Sequence, residues 1–341
     1  FEYEEEHNAI LRFILNLNEK LLKKHVYVEV EPCDPKNMPW NDKEYKTYIE
    51  QADAVFFLFF LSANERLKKE LSESLDSFYR CGKPKIYTYF YNHTGIENTS
   101  ILELKHRIGE ELNHYYSLFT NVDSIKLSIL IQISDIMQDA CVISLENDCI
   151  MMQDEVVLDL NQIPIVSRNR VLNELKQHIS EVEQEYEKTA RQFSVDTTNR
   201  ELLNKLSQLD DERTQLQEKR KLQEKEILSM LYEMHRTIAK GKIDDLLREA
   251  YKCLENGEVE KAAKILNKPK VDEIFKLDMH AKMEAIRDDA SAAVEMYAQT
   301  IKIQKLLGES PETVQMIMEC YEEIMTYVTM IPSLDSSIIA E

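Results

Sequence analysis

The sequence predicts an α/β part with a parallel sheet, followed by an all-α part. The first part is indicated by Gln51 to Phe90, where eight consecutive apolar residues, Ala54 to Leu61, precede an amphipathic segment and a second strand-like run. The second part is indicated by residues 167–341, where apolar residues recur at helical spacing and no strand pattern occurs. A small antiparallel β meander is expected between the two parts.

The composition excludes several classes of protein. The chain has 341 residues, of which 43% are hydrophobic and 30% are charged, as in ordinary globular proteins. A formal net charge of −20 repels both a phosphate backbone and an anionic lipid surface. No apolar run is long enough to span a bilayer, and no signal peptide opens the chain. We therefore expect a cytoplasmic protein that binds neither nucleic acid nor a membrane.

The parallel sheet is predicted from the stretch between Gln51 and Phe90. A uniformly apolar run such as Ala54 to Leu61 is typical of a strand covered on both faces. Ser62 to Asn64 supply caps for a helix from Glu65 to Tyr79, and Lys85 to Tyr91 form the next strand. The helix has one apolar face, made of Leu67, Leu71, Leu75 and Phe78. This right-handed βαβ unit places Leu61 to Glu73 at the edge where such sheets bind ligands.

The residues before this unit predict a helix and a further strand. Glu5 to Lys24 read as a helix, and the alternation of Val and Tyr from His25 to Glu31 reads as a strand. The expected apolar face of the helix comprises Ile10, Leu11, Ile14, Leu15, Leu21 and Leu22. Pro32 to Trp40 are a predicted loop, followed by a short helix from Asp42 to Gln51. Because α/β sheets usually open with a strand, we expect another strand upstream of Phe1.

The residues after this unit lead into the meander. Ile101 to Leu118 carry helical spacing, whereas the short apolar run from Ser124 to Ile133 fits either a helix or a final strand. Between Cys141 and Leu160, three short apolar segments are separated by turn residues. This pattern predicts the antiparallel meander. Asn161 to Pro164 close it.

The all-α part begins with a predicted helical hairpin. From Leu172 to Phe193, apolar residues recur at alternating spacings of three and four residues, which predicts a long helix. Ser194 to Thr198 break this pattern. Thr198 or Asn199 then caps a second long helix, which extends to Ala239. Because the heptads fail after two repeats, an intramolecular hairpin is expected rather than a coiled-coil dimer. Gly241 ends this arm.

The last hundred residues predict helical repeats. The segment LREAYKCLENGEVEKAAKILNKP, within Ile243 to Pro269, resembles a tetratricopeptide repeat. Helices at Lys282 to Leu307 and Pro311 to Met330, the latter capped by Ser310, read as further repeats. The expected divisions are residues 1–135 (α/β), 136–166 (meander), 167–240 (hairpin) and 241–341 (repeats).

Standard catalytic motifs are missing from the sequence. It has no glycine-rich phosphate loop, HExxH, GxSxG or DxDxG pattern, and no CxxC pair among its six cysteines, which are expected to be free buried thiols without a metal. The chemical candidates are Glu65, Glu70 and Glu73 at the ligand edge of the sheet. A carboxylate there could hold a ribose hydroxyl or stabilise an oxocarbenium-like transition state, or it could simply favour the helix dipole.

Other side chains have two interpretations each. The alternating Tyr87, Tyr89 and Tyr91 line a pocket or belong to a buried aromatic strand. Trp40 is a lid or a plug, and His114 is expected to be a hydrogen-bonded structural histidine. The methionines of the last predicted helix form core or a groove for a partner helix. They are Met316, Met318, Met325 and Met330.

Three segments give the first third of the chain a family resemblance. ADAVFFLFF, KKELSESLDSFYRCGKPKIYTYF and ELNHYYSLFTNVDSIKLSIL resemble bacterial TIR-like (Toll/interleukin receptor-like) domains that precede a helical hairpin and tetratricopeptide-type repeats. The likeness extends through VVLDLNQIPIVSRN. It implies a flavodoxin-like parallel sheet that acts either as an NAD-cleaving enzyme or as an assembly module.

The resemblance also implies site residues and partners. Glu70 matches the position of the catalytic acid, and Glu73 is its alternative. NAD would be a substrate rather than a bound cofactor. We expect a bacterial antiphage or stress-signalling protein that forms homo-oligomers and binds a protein partner through its repeats. The alternative is an NAD or nucleoside N-glycosidase.

Overall fold

The computed structural model describes residues 4–30, 42–61, 63, 65–92, 98–112, 114–241, 243–267 and 279–330. These residues form a mainly helical α/β structure with a parallel sheet and a second, small sheet. They divide into two compact units. The first contains Phe1–Ile143, Cys149–Leu160 and Leu231–Arg248, and the second contains Ser144–Asp148, Asn161–Met230 and Glu249–Glu341. The four-part division expected along the chain stays a prediction.

The parallel sheet of the first unit has three strands in the order β1–β2–β3. β1 is Ala54–Phe59, β2 is Lys85–Tyr91 and β3 is Ser117–Phe119. β1 pairs with β2 from Ala54 opposite Lys85 to Phe59 opposite Phe90, and β2 pairs with β3. The predicted strand–helix–strand unit is therefore confirmed.

Helices flank these strands in the first unit. α1 is Glu4–Leu21 and α2 is Asp42–Gln51, both as predicted. α3, Glu65–Cys81, connects β1 to β2, and α4, Thr99–His106, continues as a π-helical turn, Arg107–Glu111. α5, Val122–Met137, resolves the ambiguity at Ser124 to Ile133 in favour of a helix.

The core on one face of the sheet is apolar. The predicted face of α3 is confirmed, since Leu71 and Leu75 are buried while Leu67 and Phe78 pack against the same cluster. The buried members of that cluster are Phe57, Phe59, Ala63, Leu71, Leu75, Ile86, Phe90, Ile101, Leu104 and Ile108. Burial of each large side chain contributes about 1.5–3 kcal/mol, so this cluster is a main source of stability for the unit.

The strand predicted at His25 to Glu31 is wrong over residues 25–30. This segment follows a 3₁₀ turn, Leu22–Lys24, and belongs to neither sheet. Its backbone bonds to a side chain instead: the Val28 N–H donates to Asn18 Oδ1, and Asn18 Nδ2 donates to the Val28 carbonyl, both at 2.8 Å. Because the Asn18 amide satisfies the groups that a neighbouring strand would bind, this segment does not need a sheet partner.

Two further expectations in the first unit are wrong. Leu15 and Leu22, expected on the buried face of α1, are exposed, and the actual buried face includes Phe13 and Leu17 instead. The helix expected to reach Leu118 ends earlier, because residues 117–119 form β3, where Ser117 pairs with Tyr89 of the neighbouring strand. Parallel pairing here overrides the helical spacing of the local sequence.

The meander is confirmed. The strands β4 (Ser144–Glu146), β5 (Cys149–Met152) and β6 (Glu155–Asp159) form a sheet in that order, with β5 and β6 antiparallel. Both residues of each connecting turn have positive φ: 50° and 64° at Asn147 and Asp148, and 52° and 62° at Gln153 and Asp154. This is the pattern of a type I′ turn, whose twist suits a hairpin.

The predicted hairpin of long helices lies in the second unit up to Met230, and the end of α8 from Leu231 belongs to the first unit. After the short α6, Pro164–Ser167, come α7, Arg170–Val195, and α8, Arg200–Ala239. The Asn199 side chain accepts from the N–H groups of Glu201 and Leu202, which confirms the predicted cap. The helices share a core made of Leu175, Ile179, Val182, Leu209 and Leu216.

Within the described residues, four more helices follow the hairpin. They are α9 (Asp245–Glu255), α10 (Val259–Leu266), α11 (Met279–Lys305) and α12 (Pro311–Met330). Gly257, with φ 76°, makes the predicted turn between α9 and α10. The Ser310 hydroxyl accepts from the Thr313 N–H and caps α12 as predicted. The helix pattern is thus confirmed, while the resemblance to tetratricopeptide repeats stays a prediction.

Candidate functional site

The predicted ligand edge lies where β1 passes into α3. β1 ends at Phe59 and α3 begins at Glu65, so the first turns of α3 start beside the carboxyl ends of the parallel strands. Ala63 in the connection is buried, and its N–H lies 3.5 Å from the Ser100 hydroxyl at the start of α4. The capping residues Ser62 and Asn64 and the predicted loop with Trp40 lie outside the described residues.

Glu70 is a buried carboxylate with a basic neighbour on its own helix. Its side chain is 8% exposed, and Arg66 Nε donates to Glu70 Oε1 at 2.8 Å. The Arg66 side chain is 44% exposed, so the guanidinium reaches water while the carboxylate does not. One turn later the Ser74 hydroxyl donates to the Glu70 carbonyl and adds no contact to the carboxylate. Any chemistry at Glu70 therefore has to start from its contact with Arg66.

Glu65 and Glu73 have separate partners. Glu65 is exposed and accepts from Lys68 at 2.8 Å, whereas the Glu73 carboxylate lies 3.8 Å from Lys69. All three pairs follow the i,i+3 or i,i+4 spacing of one helix. These three ion pairs thus involve three different cations of α3.

The three tyrosines of β2 belong to a packed aromatic layer. Phe56 stacks on Tyr87 with ring centroids 5.0 Å apart and on Tyr89 at 6.3 Å. Phe119 of β3 packs against Tyr89 and Tyr91. Tyr87 and Tyr89 are buried, and burial raises the pKa of Tyr87 above its usual value. The interpretation as a buried aromatic strand is confirmed.

A polar cluster beside this layer was not identified from the sequence. The imidazole of His235, near the end of α8, lies 5.9 Å from the Tyr87 ring. Asp135 of α5 accepts from Arg236 Nε at 2.8 Å, and its other oxygen lies 3.7 Å from Lys85 Nζ. Burial lowers the pKa of His235 to about 4; the Asp135 charge opposes this effect and Lys85 adds to it.

The burial of its rings gives this cluster a structural role. His235 and Tyr87 are each 2% exposed, so a dissolved substrate does not reach either ring. The Tyr87 hydroxyl and His235 Nδ1 have no hydrogen-bond partner within the described part of the chain. One signal was present in the sequence: ILSMLYEMHRTIA, the end of α8, is apolar around more of the helix than the preceding residues, which is typical of a buried segment.

His114 is the structural histidine that the sequence predicts. It is 1% exposed, and its Nε2 lies 3.2 Å from the Ile86 carbonyl of β2. Burial lowers its pKa to about 4, although the hydrogen bond to the Ile86 backbone opposes the shift. The neutral ring packs against β2 within the first unit.

The cysteines form no disulfide among the described residues. Cys141, Cys253 and Cys320 are buried free thiols as expected, while Cys149 is half-buried and Cys81 is exposed, which corrects the prediction for Cys81. The described residues contain no group of three or more His, Cys, Asp and Glu side chains placed to hold a metal ion. Within the same ranges, no helix has both the length and the apolar character to cross a bilayer.

The apolar surface of α12 contains two of the predicted methionines. Met318 and Met325 are exposed, whereas Met316 is half-buried and its sulfur lies 3.6 Å from Asn267 Nδ2. The side chain of Met330 lies outside the described part. The groove interpretation thus fits Met318 and Met325 better than the core interpretation.

Comparisons with protein-family models, with curated proteins and with solved structures found no significant match to this chain.

Proposed function

We propose that this chain is a cytoplasmic bacterial antiphage or stress-signalling protein. In this proposal the TIR-like α/β part is an effector or assembly module that forms homo-oligomers, and the helical part binds a protein partner. The proposal combines the sequence resemblance with one structural observation. That observation is a stripe of large apolar side chains on the exposed surface of α12.

α12 packs on α11 through one face only. The buried residues of this contact are Val294, Tyr297 and Ile301 of α11 and Cys320, Ile324 and Tyr327 of α12. Away from this contact, α12 carries a stripe of four apolar side chains, Val314, Met318, Tyr321 and Met325. Their exposed fractions are 47%, 58%, 49% and 52%. Single exposed apolar residues are common, but four at i, i+4, i+7 and i+11 form a continuous strip. Such strips are typical of binding surfaces.

The state of Glu70 favours assembly over catalysis for the α/β part. A carboxylate that assists cleavage of an N-glycosidic bond must reach the ribose or its transition state. Glu70 is instead buried and bound to Arg66. A function through contacts with other copies or proteins does not require this carboxylate to be accessible.

An NAD or nucleoside N-glycosidase is the second candidate. It is favoured by the position of Glu70 on the first turns of α3, close to the carboxyl edge of the parallel sheet, where ligands of such folds bind. Under this alternative Arg66 would release the carboxylate when substrate or another protomer arrives. Glu73, which is more exposed, is the alternative acid.

Incubation with NAD separates the two candidates. The full chain, both dilute and forced to oligomerise by a fused dimeriser, is incubated with NAD, and nicotinamide is measured by chromatography. We expect no release in either state. Release that disappears in Glu70→Ala and persists in Glu218→Ala, an exposed control on α8, would contradict the assembly proposal and support the glycosidase.

A phage-plaque assay tests the biological role. A phage-sensitive bacterial host expresses the full chain, Tyr321→Glu, Glu70→Gln, or the control Leu203→Glu at an exposed position of α8. We expect fewer plaques with the full chain, Glu70→Gln and the control, and loss of protection with Tyr321→Glu. Plaque numbers that do not change with any chain would count against a defence role.

A further inference from the structure

The proposed function does not say which kind of partner binds the exposed surface of α12. We call this surface the acidic apolar face. We define it as the stripe of Val314, Met318, Tyr321 and Met325 together with the bordering carboxylates of Glu309, Glu319 and Glu322. Beside the stripe lies an open groove of about 770 Å³, lined by Pro311, Val314 and Met318 on its apolar side and by the three glutamates on its polar side. The face therefore combines an apolar strip with a row of negative charge.

No cation of the described chain neutralises this row. The sequence contains no Lys or Arg after Lys305. Among the described residues no basic side chain pairs with Glu309 or Glu322, and Glu319 accepts from the Gln315 amide at 2.9 Å. Elsewhere on the helices many acidic side chains have a basic neighbour, as Glu185 has in Lys188 and Lys205. The negative charge of the face is thus available to a partner.

We propose that the acidic apolar face binds a basic amphipathic helix of another protein. This inference rests on the proposed function and specifies the partner of its helical part. The strip from Val314 to Met325 is about 17 Å long, which matches three turns of a bound helix. Apolar residues of that helix cover the strip, while its Lys and Arg side chains extend to the bordering carboxylates.

The side chains of the face suit this kind of partner. Met318 and Met325 are unbranched and adapt to side chains of different shape. Tyr321 at the centre offers an aromatic surface that also attracts cations. Glu319 and Glu322 lie on one border of the strip, so the partner's positive charges fix the register in which it binds.

Two other occupants are disfavoured by charge. A second copy of the chain would place the same carboxylates opposite one another. The chain's own residues 331–341 include apolar side chains but also Asp335 and Glu341, and they contain no Lys or Arg. Only a basic partner gains from both components of the face.

The test uses a fluorescent 18-residue peptide of Leu and Lys at helical spacing as the probe, titrated with the full chain and followed by anisotropy. A scrambled peptide of the same composition and a Leu/Glu peptide are the peptide controls. We expect binding of the Leu/Lys helix alone. We expect Met318→Ala/Tyr321→Ala to weaken it about tenfold or more.

The charge component has its own variant. Glu319→Gln/Glu322→Gln should weaken binding and reduce its loss between roughly 50 and 300 mM salt, because fewer charge pairs are screened. The matched controls, Leu203→Ala and Glu183→Gln, are exposed positions on the helical hairpin and should bind as the unchanged chain does. Circular dichroism melts verify that each variant is folded.

Several results would overturn the proposal. They are equal binding of the scrambled peptide, equal weakening in the hairpin controls, or no binding of the probe. Tighter binding by a Leu334→Asp/Ile338→Asp chain would assign the face to the chain's own end. Self-association in sedimentation that Met318→Glu abolishes would assign it to a second copy. The protection given by the unchanged chain in the plaque assay and the result of the NAD assay do not depend on these peptide measurements, so failure of this inference does not imply failure of the proposed function.

Discussion

The backbone N–H of Asn147 donates a 2.9 Å hydrogen bond to Glu224 Oε1 of α8. The same carboxylate oxygen accepts from Arg220 Nε at 2.9 Å. The neighbouring turn residue, Asp148, binds Lys176 Nζ at 2.7 Å and lies 3.6 Å from Arg220. A type I′ turn of the meander is therefore held by charged groups from both helices of the hairpin.

We expect Glu224→Ala to lower the free energy of unfolding by about 3 kcal/mol, because it leaves Arg220 and the Asn147 N–H without their acceptor. Glu224→Gln should have a smaller effect. Burial raises the pKa of Glu224, even though Arg220 opposes the shift, so the site accepts a neutral side chain more readily than most ion pairs do. Urea unfolding measures both variants, with Glu218→Ala, exposed on the same helix, as the control. Equal loss in all three would contradict the role of this contact.

The pair of Arg66 and Glu70 leads to an asymmetric prediction. Arg66→Ala leaves a buried carboxylate without its cation, and we expect a loss of about 3 kcal/mol in unfolding free energy. Arg80→Ala, which breaks an exposed pair with Glu50, should change stability much less. Adding Glu70→Ala to Arg66→Ala should recover part of the loss. A double-mutant cycle by urea unfolding measures this coupling, and strictly additive effects would show that the pair does not interact.

The buried histidines predict acid sensitivity. The folded-state pKa of both His114 and His235 is about 4, below the ordinary value of 6.5. The unfolded chain therefore binds more protons between these values, so stability is complete above about pH 6.5 and falls as the pH drops toward 4, by about 3 kcal/mol for each histidine. Urea unfolding at pH 7.5, above the window that these values set, and at pH 5, within it, should show the loss. His235→Gln should reduce it, whereas the exposed His178→Gln should leave it unchanged; an equal pH slope in all chains would contradict this assignment.

Two glycines with similar backbone conformations provide a matched test of packing. Gly241 has φ 80° and lies against the Phe78 ring, so that an added Cβ would enter the ring's van der Waals surface. Gly82 has φ 71° and open space at the same position. Both Ala variants incur about 1 kcal/mol of left-handed strain, and Gly241→Ala should incur about 1–3 kcal/mol more from overpacking. Thermal unfolding compares them, and equal shifts in Tm would mean that Phe78 moves freely.

Most elements of the fold could be predicted because their signals are local. The uniformly apolar run of β1, the helical spacing of α3 and the turn residues of the meander are each signals carried by residues close together in the sequence. Asn199 and Ser310 carry their capping information in their own side chains. The hairpin of α7 and α8 was predictable because the apolar seam stops after two heptads.

Two wrong secondary-structure predictions share one physical cause, which is a contact with a residue outside the segment. Val28 is not in a strand because Asn18 binds its backbone. Ser117 is in a strand because Tyr89 provides the pairing edge. The cluster of Asp135, Lys85 and His235 joins three elements, so no local pattern contains it.

The sequence by itself determined the kinds of most elements and their order, because periodicity, turns and caps act between near neighbours. It also determined that Glu70 and the methionines of α12 were worth testing. Only the tertiary structure decided that the Glu70 carboxylate is buried against Arg66 while Met318 and Met325 remain in water. Burial and pairing depend on which surfaces meet, and residues far apart in the chain set those contacts together.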